Sequence, residues 1–249
     1  MLIIDGHVHL MHPPLSVGWC GIELQVGELI KTMDEYEIDL SVAIPEPTVR
    51  PEYISRMNDL MAKDIRPYSK RIVGFGRINP HYGREAVREV ERCVKVLGFR
   101  GIKLHPIVES FLPFGEPSLK VVQKAAELQV PVIFHSGTPP YSEPLQIGMV
   151  ADAVPRATII LAHMGIYYLA DAISTAKKWD NVILDMSTLM WHKMLKAAVE
   201  EVGPERIVFG SDLPFGHPGW QLKLVELSGI SERERELILG YNMAKLLGM

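Results

Sequence analysis

Eight short runs of aliphatic and β-branched residues recur along this chain, and each stays apolar until its last positions. They read LIIDGHVH from Leu2, LSVAIP from Leu40, IVGFGRI from Ile72, FRGIKLH from Phe99, VPVIFH from Val130, TIILAH from Thr158, NVILDM from Asn181 and RIVFGSD from Arg206. A strand with one wet face alternates apolar with polar residues. Uninterrupted runs need cover on both faces, as parallel strands have when helices pack over them.

Segments of helical period separate the runs. Val87, Val90, Val94 and Leu97 recur at spacings of three and four, with Arg84, Glu85, Arg88, Glu91, Arg92 and Lys95 on the other faces. Leu119, Val122 and Ala126 repeat the pattern behind Ser118, a candidate N-cap. Tyr168 to Trp179 and Trp191 to Val202 also read as helices, and Ser231 with Glu234 has the spacing of a capping box. Eight strand–helix units in 249 residues match a (β/α)8 TIM barrel in count and length. The expectation is therefore an α/β barrel in a single domain, residues 1–249. An open doubly wound sheet would carry a glycine-rich phosphate turn after its first strand, and Asp5-Gly6-His7-Val8-His9 stands there instead.

Composition narrows the class. With 47% hydrophobic residues the chain has enough apolar material for a core, and its formal charge of −4 has the wrong sign for a nucleic-acid binder. Two cysteines, Cys20 and Cys93, do not make a disulfide scaffold. Every apolar run is far shorter than the about 20 residues of a membrane span. The opening MLIIDGHVHL has no basic leader and an acid at its fifth position. These features point to a soluble, cytoplasmic protein that acts on a small molecule, with no nucleic-acid or membrane partner.

The polar residues that close the runs carry the chemistry. The first run ends in His7 and His9, the third in Arg77, the fourth in Lys103 and His105, the fifth in His135, the sixth in His163 and the eighth in Asp212, while the seventh carries Asp185. In a parallel barrel these ends gather on one face, where active sites are built. Residues two apart on a strand point the same way, so His7 and His9 face inward, as do Lys103 and His105. Asp5 shares that parity but lies deeper, which suits a structural role. Any one of these histidines reads equally well as a hydrogen-bonded core residue. A His-x-His pair joined by His135, His163 and Asp212 from three other strands is the chemistry of a borderline divalent cation such as zinc, with a position left open for water.

The segments IIDGHVH, RGIKLHP, VPVIFHSGT, IILAHMG, VILDMS and RIVFGSDLP, in this order over nearly the whole chain, resemble the amidohydrolase superfamily. The closer likeness is to its amidohydrolase-related branch, which includes aminocarboxymuconate-semialdehyde decarboxylase. The resemblance implies a metal held by His7, His9, His135 and Asp212, with His163 as the catalytic histidine and Asp212 as a second proton acceptor. It also admits a homodimer. Lys103 opens a fork: in two-metal members a fourth-strand lysine is carboxylated and bridges both ions, with His163 on the second. The KLHP phrase is closer to the one-metal branch, so one ion, zinc, is favoured. Lys103, His105 and Arg77 are then second-metal or substrate candidates, although Arg77 reads equally as the structural partner of Asp185 or Glu109.

The expected activity is that of a metal-dependent hydrolase, with a metal-bound water attacking an amide, lactone or ester-like carbonyl of a carboxylate-bearing substrate. The alternative is a metal-dependent, non-oxidative decarboxylase of a small unsaturated or aromatic acid at the same site. A barrel that only binds a ligand would be expected to have lost at least one of the ligand positions, and none is missing. His81 and His192 read as surface residues, and His12 and His217 lie nearer the active face. Trp19, Trp191 and Trp220 are candidate pocket walls or loop packing, and nothing beside Cys20 argues for a nucleophile.

Overall fold

The computed structural model describes residues 1–12, 23–46 and 51–249. Trp19 and Cys20 lie outside the described residues. The eight runs form eight parallel strands in sequence order, β1 (Ile4–Leu10), β2 (Leu40–Pro45), β3 (Ile72–Arg77), β4 (Gly101–Leu104), β5 (Val132–Phe134), β6 (Ile159–Leu161), β7 (Val182–Asp185) and β8 (Ile207–Val208). The ring closes where β1 meets the segment after β8. Val8 bridges Leu213 in parallel, Gly6 N–H donates to Phe209 O at 2.9 Å, and Asp212 N–H donates to His7 O at 2.8 Å. The fold is the expected TIM barrel.

Helices cover the outside: α1 (Val26–Glu35), α2 (Ile54–Ile65), α3 (Arg84–Lys95), α4 (Pro106–Glu109), α5 (Glu116–Glu127), α6 (Pro144–Ala153), α7 (Leu169–Lys178), α8 (His192–Val202), α9 (Pro218–Leu227), α10 (Glu232–Glu236) and α11 (Asn242–Leu246). Among the described residues no helix is long and apolar enough to cross a membrane. The capping box of Ser231 and Glu234 forms as expected, opening α10. Ser118 does not cap: α5 starts earlier, with Gly115 extended at the N-cap and Pro117 in the first turn, where its missing N–H is no loss.

Two apolar layers result. Ile4, Val42, Phe75, Ile133, Ile160 and Val208 fill the barrel interior, closed off by Met243 of α11 and Leu247 just after it. A larger layer lies between the strands and helices, with Leu29, Met33, Val90, Val121, Ile147 and Leu195 facing the outward side chains of the strands. β1 carries an irregularity between Asp5 and Val8 that inserts one extra residue against β2. Such a bulge flips parity, so Asp5 does not share the inward face of His7. Its carboxylate instead accepts Ser211 N–H at 2.9 Å and His7 N–H at 3.2 Å, pinning the β1–β8 seam.

Candidate active site

His7 and His9 project from β1 toward the carboxylate of Asp212, which follows β8. His7 Nε2 lies 3.2 Å from His9 Nε2 and 3.5 Å from Asp212 Oδ1, and His9 Nε2 lies 3.4 Å from that same oxygen. A cation about 2.1 Å from each donor sets neighbouring ligands about 3.4 Å apart in a tetrahedral shell and about 3.0 Å apart in an octahedral one. The triangle therefore fits one face of a divalent-ion shell in size, and two imidazoles with one carboxylate fit it in chemistry. Asp212 and His163 both have left-handed backbone, φ 60° and 62°. Non-glycine residues adopt that conformation at a cost, and it concentrates at functional sites.

Burial keeps the imidazoles neutral, with free lone pairs. His7, His9, His105, His135 and His163 are all held well below the usual imidazole range, by loss of solvent first and then by the nearby Lys103 cation or His135. Burial pushes the Lys103 ammonium down to about 7 against the pull of Asp212. It raises the Asp212 carboxyl to about 7 against the pull of Lys103. Lys103 Nζ lies 2.9 Å from His7 Nε2, at the edge of the triangle.

Of the four side chains expected to share one ion, three bring their donor atoms together. His135 is turned away, because its ring is held on both nitrogens: Nδ1 faces His163 Nε2 at 3.1 Å and Nε2 faces Thr138 Oγ1 at 3.0 Å. Its ring stacks on His105 at 4.0 Å between centroids. His163 stacks on His7 at 5.1 Å, so the five histidines form one continuous cluster. A second group, His7, His163 and Asp185, is also compact enough for a cation. There the Nδ1 of His7 and Asp185 Oδ2 are only 2.7 Å apart, a charge-assisted hydrogen-bond distance rather than a ligand–ligand edge.

Arg77 is fully buried, and its Nε and Nη2 both approach Glu109 Oε1 at 2.8 Å, while its Nη1 makes no hydrogen bond. Of its two candidate structural partners, Glu109 is the one it meets. His12 reaches Asp64 at 3.1 Å, and His217 Nδ1 accepts Gly219 N–H at the start of α9. His81 is exposed, yet its Nε2–H donates to Glu109 O at 2.9 Å. Trp191 and Trp220 are both more than half exposed. Sequence reasoning passed over Phe215, whose ring stands edge-on to His9 at 5.5 Å. It also missed Thr138 and Ser187; Ser187 lies two positions beyond Asp185, the same spacing that marked His7 with His9.

The loops after β5 and β6 touch through backbone. A Cβ on Gly137, whose φ is +90°, would lie 2.4 Å from the carbonyl of Gly165, and that carbonyl has no flexible end to yield. Gly137→Ala is expected to cost about 2 kcal/mol or more, from a left-handed alanine plus an overpacked contact. Urea denaturation checks it.

Comparison with known proteins agrees with the fold. The amidohydrolase family profile matches residues 4–249, and the chain belongs to that family. It is 26% identical over 277 aligned positions to gamma-resorcylate decarboxylase of Polaromonas sp. (strain JS666), covering 84% of this chain and 83% of the relative. The crystal structure of 2,6-dihydroxybenzoate decarboxylase from Rhizobium superposes with a TM-score of 0.84 at 20% identity, over 100% of this chain and 99% of that one. Dihydroxybenzoic acid decarboxylase from Polaromonas sp. JS666, solved with bound manganese and the inhibitor 2-nitroresorcinol, gives 0.82 at 20% identity over 99% and 97%.

Two expectations change. Hydrolysis is corrected, because the curated relatives that align over most of this chain are named as decarboxylases. The donor triangle is common to both chemistries, so strand-end residues alone did not separate them. The site suits a divalent cation, but zinc in particular has no support: the relative holds manganese, and imidazole with carboxylate accepts either ion.

Proposed function

We propose that this chain is a metal-dependent, non-oxidative decarboxylase of a small aromatic or unsaturated acid. The observation that carries the reading is the match to gamma-resorcylate decarboxylase over 84% of the chain, in a barrel whose strand ends bring His7, His9 and Asp212 to one point. One ion, zinc or manganese, would be held by His7, His9 and Asp212; His135, expected as a fourth donor, would join them only by turning its ring from Thr138 and His163. Such an ion would supply Lewis acidity toward an oxygen of the substrate.

The chain's own groups supply the rest. Lys103, His105 and the Nη1 of Arg77 line the cationic side and orient the departing carboxylate. His163 beside His7 is placed to relay the substrate's own acidic proton, through its bare Nε2, to the carbon. The carbon–carboxylate bond breaks, its electron pair stays on the carbon, that carbon takes the proton, and carbon dioxide leaves. The deep burial of the histidines excludes water from this exchange.

Carbon dioxide release should be followed on 2,6-dihydroxybenzoate and related hydroxybenzoates, beside lactones and amides. The expected result is carbon dioxide from a hydroxybenzoate or unsaturated acid. That activity disappears after dialysis against a chelator and returns with manganese or zinc. Ring opening of a lactone without carbon dioxide would overturn the reading.

A further inference from the structure

The end of β7 carries a carboxylate and a hydroxyl that the reaction above does not use. Asp185 and Ser187 are both buried. Asp185 Oδ2 lies 2.7 Å from His7 Nδ1 and 2.6 Å from Ser187 Oγ. Its other oxygen, Oδ1, accepts Ser187 N–H at 2.9 Å. Ser187 Oγ in turn lies 2.8 Å from His163 Nδ1. Space for the carboxylate is built in, since a Cβ on Gly210 would fall 2.5 Å from Asp185 Oδ1.

Ser187 Oγ also lies 3.2 Å from His7 Nδ1, and with Asp185 ionised proton counting gives one arrangement. An ionised carboxylate only accepts, so His7 donates from Nδ1 and Ser187 donates from Oγ. With its single proton committed to Asp185, Ser187 can only accept from His163, which must therefore carry its proton on Nδ1. Both imidazoles then present Nε2 as a lone pair. That of His7 faces Lys103 Nζ at 2.9 Å, whose N–H favours the same tautomer, as well as His9 and Asp212, and that of His163 faces His135. We propose that Asp185, directly and through Ser187, is the positioning residue that fixes the tautomers of His7 and His163 together, coupling the metal-side histidine to the proton-handling one. Carboxylates that orient metal-binding histidines act in the same way. Here one carboxylate serves two rings with different tasks.

The inference rests on the roles given above to His7 and His163, but its test reads tautomers and metal affinity, which do not depend on which acid is turned over. Protein labelled with 15N-histidine is examined by NMR at pH 8, and Zn2+ affinity is measured by chelator competition. In the unaltered protein both His7 and His163 should show a protonated Nδ1 and a bare Nε2. Ser187→Ala should lose the single tautomer at His163 alone and change Zn2+ affinity by less than threefold, while Ser187→Thr should keep the original spectrum. Asp185→Asn should disturb both rings and weaken Zn2+ by about 10–100-fold. A protonated Nε2 on His163 in the unaltered protein overturns the assignment whatever the variants do. So does a Ser187→Ala spectrum in which His163 is unchanged. If the tautomers follow this pattern but no acid releases carbon dioxide, the decarboxylase reading fails while the coupling stands.

Discussion

His9→Ala protein should purify without stoichiometric metal and should decarboxylate at least about a thousandfold more slowly than the unaltered enzyme, with its circular dichroism unchanged. The triangle of His7 Nε2, His9 Nε2 and Asp212 Oδ1 has edges of 3.2, 3.5 and 3.4 Å, and losing one vertex leaves a pair of donors that water competes with easily. A cation at such a site contributes several kcal/mol of charge stabilisation, and each 1.4 kcal/mol or so is a factor of ten in rate. Asp212→Asn is the sharper variant. It keeps the volume but removes the one anionic oxygen of the set, and an amide also tolerates the left-handed backbone at φ 60°. Elemental analysis after dialysis reads the metal, and carbon dioxide release reads the rate. Full metal content in both variants would place the cation elsewhere in the cluster.

Much of this arrangement was legible in the residues because parallel strands covered on both sides announce themselves as unbroken apolar runs. All eight runs became strands, and the polar residues that end them lie together at one mouth of the barrel. What parity could not supply was local geometry. The bulge in β1 took Asp5 off the face of His7, and Pro117 moved the start of α5 ahead of Ser118. The ring direction of His135 is set by Thr138, a loop residue three positions on, and no strand periodicity reaches it. The choice between hydrolase and decarboxylase lay further out of reach, since it depends on what the walls of the pocket accept and not on the donors at its base.

The largest stability effect should come from the ion pair under the cationic side. Arg77→Ala is expected to cost about 3–5 kcal/mol, the range for leaving one member of a buried pair uncompensated. Nothing in the backbone softens the loss: Asn58 exchanges two hydrogen bonds with the main chain of Arg77, each 2.9 Å, so β3 stays in place while Glu109 is stranded. Burial already raises the Glu109 carboxyl, with Arg77 as the largest opposing influence. Without the guanidinium it rises further, so the folded variant binds a proton that the unfolded chain has released. Stability then falls as pH rises from the ordinary carboxylate range toward that raised value, and the deficit against the unaltered protein should be larger at pH 8 than at pH 5. Arg77→Met combined with Glu109→Leu removes both charges at similar volume and should recover most of the loss. Urea titrations of the two variants at both pH values read the effect directly. A double variant as unstable as the single one would mean that the cost lies in the shape of Arg77 and not in its charge.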